Sequence, residues 1–168
     1  MGPAGAGKTT VGERLAAALG WRFADADAFH SPENVARMRR GEPLTDADRA
    51  PWLAALRAHI ADTLARDPRA RGDRLVLACS ALRRAYRDAL VPSEVPLGAV
   101  RFVYLHVGRD ELARRLAARR GHYMPPALLD SQLATLEEPA PDEGVVTVDA
   151  ERPVDDVVAA VRSVLGVF

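Results

Sequence analysis

Apolar positions along this chain switch between helical spacing and short unbroken runs. Val11, Leu15, Ala18 and Leu19 recur every three to four residues, as one face of a helix does, and Gly20 follows as a stop signal. Trp21 to Ala24 reads as a short strand. Ser31-Pro32 predicts an N-cap with proline at the first helical position, opening a helix to about Arg40. Thr45 predicts the cap of a longer helix that carries Trp52, Leu53, Leu56, Ile60 and Leu64 on one face. Leu75 to Cys79 and Phe102 to Val107 are continuous apolar runs of strand length, and Val145 to Val148 is a third, followed by a final helix from Pro153 to about Leu165. Strands alternating with helices imply right-handed crossovers and an α/β fold with a doubly wound parallel sheet. Its ligand site is then expected at the carboxyl ends of the strands.

Composition narrows this to a single ordinary core. The 168 residues are 48% hydrophobic, enough for one domain spanning 1–168. Acidic and basic residues balance at 23 each and are interspersed, and aromatics are 5%, which argues against a nucleic-acid surface. No apolar run approaches a membrane span, and no basic-then-apolar leader appears. Cys79 is the single cysteine, so no intramolecular disulfide forms, and a reducing cytoplasm fits.

The first residues carry the chemistry. Gly2-Pro3-Ala4-Gly5-Ala6-Gly7-Lys8-Thr9 completes the G-x-x-x-x-G-K-[ST] phosphate-loop pattern, and Lys8 is the only lysine of the chain. Glycines let successive N–H groups curl toward phosphate oxygens at the positive end of the helix that follows. Gly2, Ala4, Gly5, Ala6, Gly7, Lys8, Thr9 and Thr10 are therefore expected to bind ATP, with Lys8 reaching the γ-phosphate and Thr9 placing a hydroxyl on Mg²⁺. A phosphate loop ordinarily follows a buried, central strand, whereas here Met1 directly precedes Gly2. The expectation is a slot in the sheet between two neighbouring strands, with the reading frame extending upstream and Met1 internal to it.

Other polar residues fall after the strands, where the site belongs: Asp25 and Asp27, Ser80 and Arg83, Arg109, and Asp149. In a strand-like stretch, residues two apart face one side, so Asp25 and Asp27 can both face the phosphates. Asp25 is assigned to the metal and Asp27 to the acceptor hydroxyl as base or orienter, a division that phosphoryl transfer requires. Arg115 and Arg119 are four apart and share a helix face. With Gly121 beyond them they predict a lid, within about 109–137, that brings arginines onto the transferring phosphoryl and excludes water.

Several blocks together resemble gluconokinase, a family of P-loop kinases of the nucleoside-monophosphate/shikimate kinase type. They are Asp25-Ala26-Asp27-Ala28-Phe29-His30, Asn34 to Met38, Gly41 to Arg49 with Pro51-Trp52-Leu53, Cys79-Ser80-Ala81-Leu82 with Tyr86-Arg87-Asp88, and His122-Tyr123-Met124 with Ser131-Gln132. The resemblance runs from the phosphate loop to the final helix. It implies Mg²⁺-dependent transfer of the ATP γ-phosphate to the 6-hydroxyl of D-gluconate, in an enzyme that is commonly dimeric. It also implies an adenine pocket near Asp149 to Pro153. A hydroxylated anion needs guanidinium forks, for which Arg49, Arg83 and Arg87 are candidates. Asp27, His30, His122 and Gln132 are the candidate hydroxyl partners. Arg83 departs from the family, where lysine is frequent after Cys-Ser-Ala-Leu.

Two other readings stay open on the residues alone. A shikimate-like or nucleotide-directed kinase would share the phosphate loop, the paired aspartates and the lid. A truncated ATP-binding protein without activity would keep the loop and lose turnover.

Overall fold

The structure, a computed structural model, describes residues 1–66, 74–118 and 126–167. Helix α1 (Lys8–Leu19) ends where expected: Gly20, with φ 67°, turns its N–H back to the carbonyls of Ala16 and Ala17. Strand β1 (Arg22–Asp25) runs into a 3-10 turn (Ala26–Phe29), then α2 (Pro32–Arg39) and α3 (Asp46–Leu64) follow. Both caps read from the sequence are present. Ser31 Oγ accepts from the Asn34 N–H at 3.2 Å, and Thr45 and Asp48 form a reciprocal box, Asp48 accepting from the Thr45 N–H at 2.7 Å. Then come β2 (Leu75–Ala78), α4 (Arg84–Leu90), β3 (Val103–His106), α5 (Arg109–Ala118), α6 (Pro126–Thr135), a 3-10 turn (Pro141–Glu143), β4 (Val146–Asp149) and α7 (Val154–Leu165). Leu64, expected on the apolar face of its helix, is 37% exposed at the helix end.

The strands pair in parallel as two couples, β1 with β2 (Arg22 opposite Leu75) and β3 with β4 (Val103 opposite Val146). Helices cover both faces, which the packing of adjacent strand residues shows. Val76 packs on a core built from Val11 and Leu15 of α1, Leu112 of α5 and Val157 and Val161 of α7. Leu77, the next residue, packs on a second core of Trp52, Leu56 and Ile60 of α3 with Tyr86 and Leu90 of α4. Successive side chains of a strand point to opposite faces, so the two cores lie on opposite sides of the sheet. Helix α1 comes very close to β1: a Cβ on Gly12 would stand 2.7 Å from the Phe23 ring, which is why this helical position has no side chain.

Between β2 and β3 the first two residues of the chain make the ladder bonds. The Met1 α-amino group donates to Val103 O, the Leu105 N–H donates to Met1 O at 3.0 Å, and the Gly2 N–H donates to Ser80 O at 3.1 Å. Behind them, between β2 and β3, lies a cavity of ≈ 470 Å³ bordered by both cores. The slot expected from the sequence is thus a real opening in the sheet.

Candidate active site

The phosphate loop leads from this central position into α1. Gly5 and Gly7 hold φ 86° and 88°, a left-handed conformation open to glycine, and a Cβ on Gly5 would stand 3.2 Å from Leu112 O. Gly7 offers no side-chain cap to α1, and the helix has no acidic residue in its first turn, so its leading N–H groups meet no carboxylate of their own helix. Lys8 Nζ lies along the loop and donates to Pro3 O at 2.9 Å. Thr10 is exposed at the loop's end. Gln132 of α6 reaches the loop directly, its Oε1 accepting from the Ala4 N–H at 2.7 Å.

Thr9 and Asp25 meet, the Thr9 hydroxyl donating to Asp25 Oδ2 at 2.9 Å. These oxygen donors fit Mg²⁺, which completes its shell with water and phosphate oxygens instead of an all-protein cage. No group of three or more His, Cys, Asp or Glu that could cage a metal occurs among the described residues. Asp27 corrects the sequence reading in one respect. The chain does not stay extended past Asp25: the other carboxylate oxygen of Asp25 accepts from the Asp27 N–H at 3.0 Å and caps the 3-10 turn. Asp27 is therefore exposed on the first residues of that turn, and the two-residue alternation does not govern it.

That turn delivers His30 to the neighbouring helix. The His30 ring stacks on Trp52, centroids 4.5 Å apart and planes within 7°, while Trp52 Nε1 donates to Ala26 O at 2.8 Å and anchors the turn to α3. Trp52 is buried, as a core anchor should be, and serves as a platform as well. His30 Nδ1 is buried with no hydrogen-bond partner, and burial holds the imidazole pKa below its usual value, with Asp27 opposing. A neutral ring with an orphaned nitrogen is suited to a ligand hydroxyl.

One turn before Trp52 on α3 is Arg49, at the edge of an arginine cluster. Arg49 and Arg83 lie against the Tyr86 ring, 5.5 Å and 5.7 Å from its centroid. The Tyr86 hydroxyl donates to Asp46, which also accepts from Arg83 at 3.0 Å. The Tyr86 hydroxyl, then Arg83 and Arg49, hold the Asp46 carboxyl below its usual range. So Arg49 and Arg83 converge as expected, and an acidic side chain already sits at their tips.

Arg87 does not join them. It is 2% exposed and its guanidinium faces the protein: Nε and one Nη donate to the Glu143 carboxylate at 2.6 and 2.8 Å, and the other Nη reaches the carbonyls of Ala81, Leu82 and Glu137. Buried and committed to these partners, it is not presented to a substrate, which overturns its expected role as a fork. The guanidinium instead secures the turn after β2, where Ala81 holds φ 43°, strained for a residue with a Cβ.

At the other end of the site, Arg115 corrects the expectation of an arginine swung onto the phosphates. Its Nε donates to Glu111 and its Nη to Ala150 O at 2.8 Å, in the loop after β4. The same loop is tied to the start of α5 by Glu151, which accepts from the Gly108 N–H at 2.8 Å, and Pro153 caps α7. A hollow of ≈ 500 Å³ opens there, lined by Gly108, Arg109, Glu111, Arg114 and Glu151. Arg109 pairs with Asp130 at 2.8 Å and links α5 to α6. Arg119 and His122 lie outside the described residues, as does Gly121.

Asp46, Tyr86 and Glu143 were missed by sequence reasoning. Arg49 three residues after Asp46 was a local hint of ion pairing. Tyr86 and Glu143 gave no such sign, because their partners lie 40 and 56 residues away.

Comparisons with known proteins agree on the family. The family model described as an AAA domain matches residues 1–139. A gluconokinase of Gluconobacter oxydans is 50% identical over 155 residues, 92% of this chain and 83% of that protein. The crystal structure of a gluconokinase from Sinorhizobium meliloti superposes with a TM-score of 0.85 at 42% identity, over 99% of this chain and 89% of that one. A shikimate kinase from Acinetobacter baumannii, solved in complex with shikimate, reaches a TM-score of 0.59 at 22% identity over 98% of this chain and 90% of that one, a likeness of fold alone.

Proposed function

The chain belongs to the gluconokinase family, and on that premise we propose that it transfers the γ-phosphoryl group of ATP to the 6-hydroxyl of D-gluconate, giving 6-phospho-D-gluconate and ADP. The observation that carries the acceptor's identity is the arginine pair Arg49 and Arg83, both against the Tyr86 ring. It is reached from the phosphate loop by an unbroken series of contacts: Thr9 to Asp25, the Asp25-capped turn to His30, His30 to Trp52, and α3 to Arg49. A long, polyhydroxylated acid fits such a path, with its carboxylate at the arginines and its far hydroxyl near the loop.

Each residue then has a task. Arg49 and Arg83 hold the carboxylate. Neutral His30 offers Nδ1 to a hydroxyl, and Gln132, against the loop at Ala4, is placed at the junction of acceptor and phosphates. Asp27 orients the attacking hydroxyl and takes its proton. Lys8 and the N–H groups leading α1 neutralise charge developing on the phosphoryl oxygens. Thr9 and Asp25 would hold Mg²⁺, directly or through water, and the ion would supply charge neutralisation on the phosphates. Arg115, by fixing the loop through Ala150 O beside Pro153, shapes the end of the site assigned to adenine. Arg119 and His122 are assigned to the phosphoryl group and the acceptor on the family resemblance. The region 109–137 acts as the lid.

The test is ATP-dependent phosphorylation with D-gluconate, shikimate and nucleoside monophosphates as parallel acceptors. Turnover on gluconate alone is expected. Turnover on shikimate or a nucleotide in its place overturns the acceptor assignment, and ATP binding without any turnover overturns the catalytic one.

A further inference from the structure

The turn after β2 and the return from α6 to β4 are bound to each other from both sides. The Glu137 N–H donates to Leu82 O at 2.8 Å, and Glu137 O accepts from an Arg87 Nη at 3.1 Å. Farther along the return, Asp142 pairs with Arg84 at 2.9 Å and Glu143 with Arg87. These contacts converge on the start of α4. Arg83 stands at the cap position, extended at φ −103° and ψ 151°, yet its own side chain makes no cap bond, and the first turn of α4 holds no acidic residue. The leading N–H groups of a helix have no partner within it. One of them, that of Arg84, is met from outside: it donates to Glu137 Oε2 at 2.8 Å, across 53 residues of chain. The Arg83 guanidinium is then directed to Asp46 and the Tyr86 ring, where the acceptor fork is assigned. On the other side, the Leu136 N–H closes a helical bond on Gln132 O at 2.9 Å, so Glu137 follows directly on the helix whose Gln132 Oε1 holds the phosphate loop at the Ala4 N–H. The short stretch 132–137 thus ties the phosphate loop to the cap of the helix that Arg83 precedes.

We propose that Glu137 is a positioning residue for the acceptor: by capping α4 from outside, it sets the Arg83 fork at the separation from the phosphate loop that gluconate spans. The proposal rests on the phosphoryl-transfer reading, in which Arg83 holds the carboxylate and the attacking hydroxyl lies at the far end of the acid. Glu137 is exposed, so it can be truncated without opening either core. A carboxylate that accepts a main-chain N–H at a helix start also restricts the residue before that N–H, which here is Arg83. A shift in the Arg83 backbone is carried to the guanidinium at the end of its side chain. The cap requires an oxygen at this reach, and that gives it a signature. Glutamine keeps the oxygen and the reach, aspartate keeps the charge and loses the reach, and alanine loses both.

The experiment compares the parent chain with Glu137→Ala, Glu137→Asp and Glu137→Gln. The alanine and aspartate forms are expected to raise the gluconate KM by about three- to tenfold, the worth of one helix cap, with the ATP KM unchanged. Glu137→Gln is expected to restore the parent value. In an Arg83→Met background, Glu137→Ala should change the gluconate KM no further, since residues that act through one another do not add. A gluconate KM untouched by Glu137→Ala, or effects of the two substitutions that multiply, overturn the proposal. So does an equal rise in the ATP KM, the mark of a general loosening, and so does rescue by aspartate in place of glutamine. A second readout needs no turnover. The Arg83 guanidinium NMR signal of the ligand-free chain, identified by its loss in Arg83→Met, should move in the alanine and aspartate forms and return in Glu137→Gln; a signal that stays in place throughout overturns the proposal. If the parent chain turns over another acceptor and not gluconate, the phosphoryl-transfer reading fails, and this signal still decides whether Glu137 sets Arg83.

Discussion

On the α1 face of the sheet the residues assigned to chemistry form one stretch of chain, Gly2 to Thr10, whereas on the α3 face the assigned site is built from side chains that meet across 37 to 40 residues of chain, Asp46 with Arg83 and Tyr86. The difference follows the ligands. A polyphosphate is the same object in every nucleotide, and N–H groups at a helix start can hold it with little help from side chains. A particular acid with a particular row of hydroxyls needs forks and acceptors at fixed separations, which only residues from several elements provide. One face is thus generic and local, the other specific and long-range.

The largest expected effect breaks the generic face. Lys8→Ala removes the one side chain that the phosphate loop contributes to charge neutralisation, and kcat should fall on the order of 10³-fold. The thermal midpoint should hardly move, since Lys8 is half-buried along the loop and packs in neither core. Steady-state kinetics and a melting curve check both. Near-normal turnover would detach the loop from catalysis.

On the specific face, two arginines four residues apart should separate cleanly. Arg87→Met leaves the Glu143 carboxylate buried without its partner, so unfolding free energy should drop by about 3–5 kcal/mol in a denaturant titration. Arg83→Met removes an exposed fork, and should leave stability nearly unchanged while raising the gluconate KM by roughly tenfold or more, the loss of one charge-assisted hydrogen bond. If the effects are exchanged, with Arg87 setting KM and Arg83 setting stability, the division of roles argued from burial is wrong.

These residues also show where sequence reasoning reached and where it stopped. The stop at Gly20 and the caps at Ser31-Pro32 and Thr45 were legible because each is closed within about four residues, as was the phosphate loop. The turn at Asp25 was not. Whether a strand continues or an aspartate caps a turn is a competition between two local hydrogen-bond patterns, and spacing alone does not decide it. Arg83 and Arg87 were indistinguishable in sequence, because burial of the second depends on Glu143 and on carbonyls of a distant segment. The same holds for Gln132 and Ala4, which are 128 residues apart.

In a chain whose amino terminus is Met1, stability should depend on pH through its α-amino group. Its folded pKa is about 5 against 8.0 for a free amine, so between these values the unfolded chain binds more protons and stability rises with pH. Lowering the pH from 8 to 5 should cost up to about 4 kcal/mol, since each pH unit between the two values contributes about 1.4 kcal/mol. Cys79, whose thiol burial pushes up to about 11, stays neutral throughout, and His30, held below its usual pKa by burial, adds a dependence of the same sign. Acetylating the amino terminus should flatten the curve to the His30 share. An unchanged slope would place the proton elsewhere.

The smallest effect probes how the specific face meets its ligand. Asp46 is 67% exposed, yet it accepts from both Tyr86 and Arg83 and stands 3.9 Å from Arg49, a carboxylate at the tips of the very forks assigned to the substrate carboxylate. Asp46→Asn keeps an oxygen for the Tyr86 hydroxyl while removing the competing charge. If the side chain acts as an occupant that gluconate displaces, its loss should lower the gluconate KM by about two- to fivefold with kcat unchanged, a small change because exposed ion pairs are weakened by solvent and salt. Raising ionic strength should erase the difference between the two proteins, since screening acts on the charge alone. A KM that instead rises at every salt concentration would mean that Asp46 aligns the arginines or bonds a hydroxyl of the substrate. The acidic residue would then belong to the acceptor site itself, as one more side chain in a face built from long-range contacts.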